Sequence, residues 1–216
     1  MPYDDNGHGS FVAGVVAGNG MMSGQRVIAP AYHVNIVSIK AIDSGGAASM
    51  QDIIRAINYI IENARRYNIR VVIMSFGTTR DATSDSVLYR AIDILNSLGI
   101  IIVTASGNDG GRIIHAPASS NNVISVGSID DELNISHFTT RGVVNGKMKP
   151  DYYALGENVI GIDRRDYTIM SGTSVATPYV ASLVALIKTE KQDADLDFVK
   201  KILDKIAIHR DNIAIL

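Results

Sequence analysis

Three short segments of the sequence contain residue types that can carry out nucleophilic catalysis. His8 lies between glycines ahead of an apolar run, and a histidine can act as a general base near neutral pH. Asn108 follows a strand-like apolar run, and its amide can donate a hydrogen bond to a developing oxyanion. Ser174 precedes a long helical pattern, so its hydroxyl and the N-terminus of that helix point toward the same place.

Each segment alone also has an ordinary structural interpretation. A lone histidine is commonly structural, the glycine-rich segment around Asn108 is typical of a turn, and serine commonly caps a helix. A dinucleotide site at Gly7 and Gly9 is disfavoured because no strand precedes them and a third glycine is misplaced. A plain cap needs one hydroxyl residue, whereas the turn from Ser171 to Ser174 presents Ser, Gly, Thr and Ser in succession.

The composition is that of a compact globular chain. Its 216 residues suffice for one sizeable core, so we predict a single domain over residues 1–216. The net charge of -2 and the lack of long like-charge runs disfavour nucleic acid as a partner. No apolar stretch reaches the roughly 18 residues of a membrane span, and no signal peptide is recognisable. The sequence has no cysteine, which excludes disulfides and thiolate nucleophiles but leaves the compartment unknown.

Alternating strand and helix patterns predict the frame that positions the three segments. Continuously apolar runs predict buried parallel strands at residues 34–41, 70–75, 99–105 and 122–128. Helical spacing of apolar residues predicts helices at residues 50–67, 84–98, 174–189 and about 196–208. Ser49 and Asp52 have the spacing of a capping box ahead of the first of these helices, and residues 145–166 are interpreted as a loop. The alternation predicts an α/β fold with right-handed crossovers.

Together the three segments resemble the motifs of the subtilisin-like serine proteases, the subtilases. Residues 172–178, GTSVATP, are similar to the family's G-T-S-x-A-x-P nucleophile signature. Residues 8–14, HGSFVAG, resemble its H-G-T-H-V-A-G histidine motif, with Ser10 and Phe11 at two substituted positions. Residues 106–108, SGN, are similar to the segment that bears the oxyanion-hole asparagine. Weaker matches extend the resemblance over nearly the whole chain in the family's order.

The resemblance implies a three-layer fold, with a mostly parallel sheet flanked by helices, and serine endopeptidase activity. In that mechanism Ser174 attacks a peptide carbonyl, His8 takes and returns the proton, and Asn108 with the Ser174 N–H holds the oxyanion. No cofactor is implied. No metal is expected either, because residues 17–27, near which secreted family members commonly bind calcium, contain no carboxylate.

The partner that the resemblance implies is a polypeptide bound in extended form as an added strand. The residues implied to flank that strand are Gly45, Gly46, Ser75, Phe76 and Gly77. The residues implied to wall the pocket for the side chain before the scissile bond are Ala105, Ser106 and Gly107. His115 aligns with the floor of that pocket, and we expect it to narrow the pocket.

The family's third triad residue has no clear match in the sequence. It is an aspartate that precedes the histidine by some tens of residues, and only seven residues precede His8. Asp4 and Asp5 are poor substitutes, because a carboxylate in the same turn is badly placed to orient the imidazole from behind. We therefore expect that the sequence is N-terminally incomplete, without the strand that bears the aspartate, or that the chain is catalytically impaired. A missing N-terminal segment or a pro-segment would then be a partner.

Two other functions remain open from the sequence. A subtilase scaffold without its aspartate would act as a peptide-binding module on the edge formed by residues 75–77. An α/β-hydrolase would use Ser174 in a nucleophile elbow and His209 as its histidine, but only helices are predicted between these residues and no strand is available to carry the acid.

Overall fold

The described residues, 3–78, 86–164 and 166–216, form five α-helices and ten strands in this computed structural model. The helices are α1 (His8–Ala17), α2 (Met50–Asn63), α3 (Ser86–Ser97), α4 (Thr173–Glu190) and α5 (Leu196–Ile206). The strands are β1 (Val71–Met74), β2 (Ile101–Ala105), β3 (Ile124–Ile129), β4 (Gly142–Val144), β5 (Lys147–Lys149), β6 (Tyr152–Leu155), β7 (Val159–Asp163), β8 (Asp166–Met170), β9 (Ile208–Arg210) and β10 (Ile213–Ile215). Six of them form the central sheet in the order β1-β2-β3-β6-β10-β9, in which only β9 and β10 pair antiparallel.

Helices cover both faces of the central sheet because alternate side chains of each strand point to opposite faces. In β2, Ile102 belongs to the core that includes Ile57 of α2 and Ile92 of α3. Its neighbours Ile101 and Val103 belong to the opposite core, with residues of α4 and α5. These layers confirm the predicted three-layer α/β architecture. Within the described residues, no helix is long and apolar enough to cross a membrane.

Most of the predicted helices are confirmed, with shifted ends. Ser49 caps α2 as predicted, because its Oγ accepts the N–H of Asp52 at 3.1 Å. The helix predicted from residue 84 is α3; residues 84 and 85 lie outside the described residues. Helix α4 matches its predicted range closely, whereas α5 ends at Ile206 and is followed by β9 and β10, which the sequence did not predict.

The strand predicted at residues 34–41 is wrong. This segment has no assigned strand, and Ile36 and Val37 are 48% and 38% exposed. Ile39 and Ala41 nevertheless pack against the core on the α2 and α3 side of the sheet. A strand needs a backbone ladder as well as apolar side chains. Within the described residues β1 is the last strand at this edge, and nothing pairs with residues 34–41.

The loop predicted at residues 145–166 is also wrong, because this stretch contains β5, β6 and β7. Strands β4 and β5 form one hairpin, and β7 and β8 form another. Asn145 and Gly146 have φ values of 50° and 78° in the first of these turns. An Asn-Gly pair at positive φ is a strong hairpin signal. Asn145 and Gly146 therefore form the tight turn that connects the short strands β4 and β5.

Candidate active site

His8 is the first residue of α1, and Asp4 fixes the start of this helix. The Asp4 carboxylate accepts the backbone N–H groups of Gly7 and Ser10 at 2.7 Å each, the N–H of Asn6 at 2.9 Å, and the Ser10 hydroxyl at 2.7 Å. A carboxylate at a helix N-terminus satisfies free N–H groups and interacts favourably with the helix dipole. Ser10, where the family motif has threonine, therefore takes part in the cap that orients His8.

Neither Asp4 nor Asp5 binds the imidazole of His8. The oxygens of Asp4 are occupied by the cap, and Asp5 forms an ion pair with Lys40 at 2.7 Å. Across residues 3–78, 86–164 and 166–216, no hydrogen bond reaches the His8 ring. Burial lowers the pKa of His8, while the nearby Asp4 charge opposes this shift without reversing it. The lowered pKa favours the neutral imidazole of His8, which is the form that a general base requires.

A small apolar cluster joins the helix that carries His8 to the helix that carries Ser174. The cluster contains Phe11 and Val15 of α1, Val159 of β7 and Val175 of α4. Phe11 is fully buried, and a Cβ built on Gly161 would lie 2.6 Å from its ring. Phe11, at a position where the family motif has histidine, thus packs directly against the backbone of Gly161, which has no side chain. This contact and the apolar cluster hold α1 beside α4.

Ser174 is the second residue of α4, and its backbone N–H is free. The N–H of Thr173 is bonded to Asn108, and those of Val175 and Ala176 are bonded to the Gly172 carbonyl. No acceptor for the Ser174 N–H is found within the described part of the chain. This N–H therefore remains available to a ligand at the positive end of the helix dipole.

Asn108 faces the same small space as the Ser174 hydroxyl. A Cβ built on Gly172 would lie 3.2 Å from Ser174 Oγ and 3.3 Å from Asn108 Nδ2. Both atoms are therefore close to the same point in space. The Asn108 Oδ1 accepts the backbone N–H of Thr173 at 2.8 Å and its hydroxyl at 2.9 Å. This pair of bonds leaves Nδ2 as the free donor. The result is a hydroxyl beside two hydrogen-bond donors, Asn108 Nδ2 and Ser174 N–H, an arrangement suited to an oxyanion.

The predicted pocket residues Ser75, Ala105, Ser106 and Gly107 lie at the carboxyl ends of β1 and β2, close to Ser174. Ser75 follows β1, and its hydroxyl donates to the Ser174 carbonyl at 3.3 Å. Ala105 and Ser106 are buried at the end of β2, while Gly107 has φ of 119°, and its N–H donates to Thr173 Oγ1 at 3.2 Å. Because β1 and β2 are parallel, their carboxyl ends meet where open α/β sheets bind ligands.

The segments on either side of this edge are also tied together. Phe76 and Gly77 lead to Thr78, whose N–H donates to the Ala116 carbonyl at 2.9 Å. This bond brings His115, the neighbour of Ala116, toward the segment that follows β1. His115 is half-buried there.

The turn that contains Gly45 and Gly46 is held by Asp43. The Oδ1 atom of Asp43 accepts the N–H groups of Gly45 and Ala47 at 2.9 Å each, and the Asp43 carbonyl accepts that of Gly46 at 3.1 Å. The Asn6 amide donates to the Ser44 carbonyl at 2.9 Å, which places this turn beside the segment that leads into His8. The N–H groups of the turn are thus used internally.

The sequence analysis did not identify the roles of two residues of the site, Asp4 and Thr173. The cap by Asp4 was overlooked, although an aspartate ahead of an apolar helical run is a recognised start signal. The function of Thr173 was hidden in the run Ser-Gly-Thr-Ser, where any of three hydroxyls could have served. As for metals, the described residues contain no group of three or more His, Cys, Asp or Glu side chains placed to hold an ion.

Comparison with the models of known protein families identifies the family of this chain. The model of the Subtilase family, Peptidase_S8, matches residues 1–208. The chain belongs to the subtilase family. This membership confirms the resemblance seen in the motifs around His8, Asn108 and Ser174, and it accounts for the three-layer fold.

Individual subtilases are similar to this chain over most of its length. Serine protease AprX of Bacillus subtilis (strain 168) is 35% identical, in a match that covers 94% of this chain and 53% of AprX. The thermostable alkaline protease of Halalkalibacterium halodurans is 32% identical and covers 87% of this chain and 48% of that protein. The chain thus spans about half the length of these two relatives.

Solved structures of subtilases have the same fold. A cold-adapted subtilisin-like serine proteinase superposes with a TM-score of 0.82 at 25% identity, covering 99% of this chain and 75% of that one. Sphericase superposes with a TM-score of 0.84 at 25% identity, covering 94% and 70%.

Proposed function

We propose that this chain carries the nucleophile, base and oxyanion hole of a serine-type endopeptidase. Ser174 attacks the peptide carbonyl, His8 takes its proton and returns it to the leaving amine, and Asn108 Nδ2 with the Ser174 N–H binds the oxyanion. One observation carries the proposal. Ser174 Oγ and Asn108 Nδ2 both border the same small space at Gly172, beside the free N–H of Ser174. Family membership and the names of the relatives support it.

The proposed base needs a carboxylate for full activity. In subtilisin itself, loss of the aspartate alone lowers kcat about 3 × 10⁴-fold, against about 2 × 10⁶-fold for loss of the serine or histidine. We propose that a further segment pairs with the edge of β1 at which the described residues place no other strand, next to residues 34–41, and supplies this carboxylate. The edge of β1 offers the backbone groups that such a strand requires.

The proposed substrate is an extended polypeptide. Ser75, Phe76 and Gly77 follow the edge strand β1 and would pair with its backbone, which tolerates many side chains. Gly45 and Gly46 would offer their carbonyl groups from the other side, because their N–H groups are bonded to Asp43. Ala105, Ser106 and Gly107 would wall the pocket for the residue before the scissile bond. His115 would narrow that pocket.

Labelling with a fluorophosphonate, followed by intact-mass measurement, tests the proposal. One adduct is expected on the purified chain, and it should vanish in Ser174→Ala. Ser171→Ala is the matched control, because Ser171 lies in the same turn but its hydroxyl accepts the Asn158 N–H at 2.9 Å.

The same assay separates an incomplete enzyme from other outcomes. Labelling that appears only after a peptide bearing the aspartate strand is added would mean that the added strand completes the site. A chain that is folded by circular dichroism, and that stays unlabelled with and without this peptide, would contradict the enzymatic proposal and favour a peptide-binding scaffold.

A further inference from the structure

A cavity lies at the amino ends of strands β1 and β2, which is the end of the sheet opposite to Ser174. Its volume is about 300 Å³, and it lies between the C-terminal ends of α2 and α3. The residues that line it are Ala64, Arg65, Asn68, Ile69, Arg70, Ser97 and Leu98. These residues precede β1 and β2, so the cavity lies at the amino ends of the strands whose carboxyl ends form the candidate active site. None of the lining residues is acidic.

Arg70 lines this cavity, and none of the ion pairs among the described residues includes it. Its backbone carbonyl accepts the Ile101 N–H at 3.0 Å, which fixes its position at the start of β1. Its Nε atom is buried and has no hydrogen-bond partner in the described part of the chain. Burial and then the positive charge of Arg70 lower the pKa of Lys188, while Asp193 and Asp195 oppose this shift, so a second cation is close to Arg70 and these two carboxylates act on Lys188. The Arg70 side chain is only half-buried, so its terminal nitrogens reach solvent in the cavity and are available to a negatively charged ligand, while the buried Nε lacks a partner within the described ranges.

The helix ends beside the cavity do not need the arginine side chains. Carbonyls at the end of a helix lack internal partners and commonly bind arginine or lysine. Here backbone N–H groups already bind four carbonyls at these two helix ends. The pairs are Tyr67 N to Asn63 O at 3.0 Å, Ile69 N to Ala64 O at 2.9 Å, Gly99 N to Asn96 O at 2.8 Å and Ile100 N to Leu95 O at 3.1 Å. Helix capping therefore does not explain why Arg65 and Arg70 line the cavity.

We propose that this cavity binds a phosphate-sized oxyanion through Arg70 and Arg65. A guanidinium presents its N–H groups as a planar fork that matches two oxygens of such an anion. The Asn68 amide and the Ser97 hydroxyl line the same cavity and can donate further hydrogen bonds. One liquid water occupies roughly 30 Å³, so the cavity has room for a tetrahedral oxyanion and several waters. The site is remote from Ser174 and independent of the proposed peptidase activity.

Thermal unfolding in inorganic phosphate at constant ionic strength tests this site. A ligand that binds only the folded chain stabilises it by mass action, so phosphate at ten times its Kd is expected to raise Tm by about 3 °C, with saturation. Chloride at the same ionic strength is expected to have no saturable effect. Acetate, which has one carboxylate, distinguishes a general carboxylate site from a site for tetrahedral oxyanions.

The variant Arg70→Met separates binding from folding. It is expected to weaken phosphate binding about tenfold or more, because hydrogen bonds to a charged group are lost. Without phosphate it should be at least as stable as the wild type, since it removes an unpaired buried N–H and a charge near Lys188. Arg65→Met should weaken binding to a lesser extent. Arg55→Met is the matched control, because Arg55 lies on α2 outside the cavity and pairs with Asp52 at 2.7 Å.

Two results would overturn the proposal. One is a phosphate response that is absent, or that is the same in the wild type, Arg55→Met and Arg70→Met. The other is a phosphate-free Arg70→Met chain that is clearly less stable than the wild type, which would make Arg70 a structural residue.

Discussion

Thr173 holds the amide of Asn108 in one orientation. Its N–H and its hydroxyl both donate to Asn108 Oδ1, at 2.8 and 2.9 Å. An asparagine amide can be flipped by half a turn, and only one orientation offers Nδ2 to an oxyanion. Because Thr173 immediately precedes Ser174, the residue that orients the donor belongs to the same helix turn as the proposed nucleophile.

The first prediction concerns this hydrogen-bonded pair. Thr173→Val keeps the shape of the side chain but removes the hydroxyl that donates to Asn108 Oδ1 and accepts the Gly107 N–H, so kcat on a chromogenic peptide should fall about tenfold. Asn108→Ala should lower kcat by about 10²–10³, a magnitude known from subtilisin itself. If Thr173 acts through Asn108, the double variant should be little worse than Asn108→Ala.

Thr177→Val is the control for this series. Thr177 lies one turn further along α4, and its hydroxyl donates to the Thr173 carbonyl at 2.7 Å without touching Asn108. It should leave kcat unchanged. Fully additive losses in the Thr173 and Asn108 double variant would show that Thr173 does not act by orienting Asn108.

The second prediction concerns the protonation of His8. An NMR titration of the chain should give a pKa below the ordinary value of 6.5, because burial disfavours the imidazolium. Asp4→Asn removes the charge that opposes this shift, so the pKa should fall further. Asp5→Asn is the control, because Asp5 pairs with Lys40 and does not contribute to the His8 shift.

The sign of the linked stability change follows. The folded-state pKa lies below the unfolded value, so the free energy of unfolding should decrease as the pH falls from 6.5 toward the folded-state pKa. A His8 pKa above 6.5, or an equal shift in Asp4→Asn and Asp5→Asn, would contradict this interpretation.

The sequence predicts those elements whose stabilising interactions lie within one segment of the chain. It does not predict those that depend on contacts between distant segments. Helix α2 was predictable because its cap at Ser49 and its apolar stripe lie within the segment itself. The family was predictable because its motifs around His8, Asn108 and Ser174 are short and local in the sequence. Residues 34–41 were mistaken for a strand, because strand formation depends on a distant backbone partner that local hydrophobicity does not report.

The cavity at Arg70 could not have been found from the sequence. Its walls come from the ends of two helices that meet only in the folded chain. The β4–β5 and β7–β8 hairpins were missed for a related reason, since their strands are only three to five residues long. In such short strands the alternation of apolar and polar residues is too brief to be distinguished from a loop.

The third prediction concerns His115 and cleavage specificity. If His115 narrows the pocket, the wild type should disfavour bulky aromatic residues before the scissile bond in a peptide library. His115→Gly should raise kcat/KM for phenylalanine at that position by about tenfold or more, a range typical of changes in pocket size. His33→Gly, at an exposed histidine beside Tyr32, should leave the profile unchanged. A wild-type preference for aromatic residues would refute the role of His115.

The fourth prediction concerns Asp151, a partly buried carboxylate that lies between β3 and the start of β6. Asp151 accepts Lys149 Nζ at 2.6 Å, Lys200 Nζ at 3.0 Å and the Ser125 hydroxyl at 2.7 Å. Lys149 is 2% exposed. Asp151→Asn leaves that ammonium without its counter-charge, so the free energy of unfolding in urea should fall by about 3–5 kcal/mol.

The effect of Asp151 should depend on pH. Burial opposes its ionisation, but the two lysines outweigh burial and lower its pKa. Its contribution is therefore present above the ordinary value of 3.8 and is lost as the pH falls through the folded-state pKa. The stability difference between wild type and Asp151→Asn should shrink in acid. Asp193→Asn, which removes an exposed pair with Lys191, should have little effect at any pH.

The fifth prediction concerns Ser106 in the proposed pocket wall. Its side chain is 3% exposed and its Oγ has no hydrogen-bond partner in the described part of the chain, whereas its backbone N–H donates to the Val126 carbonyl at 2.9 Å. Ser106→Ala removes the unpaired hydroxyl and keeps the backbone bond, so the free energy of unfolding should rise by about 1 kcal/mol. Ser128→Ala is the opposite case, because Ser128 is equally buried but its hydroxyl bonds to Ser136 Oγ at 2.8 Å, and the variant should be less stable than the wild type. Urea unfolding of both variants measures the contrast, and a loss of stability in Ser106→Ala would mean that its hydroxyl is paired in solution.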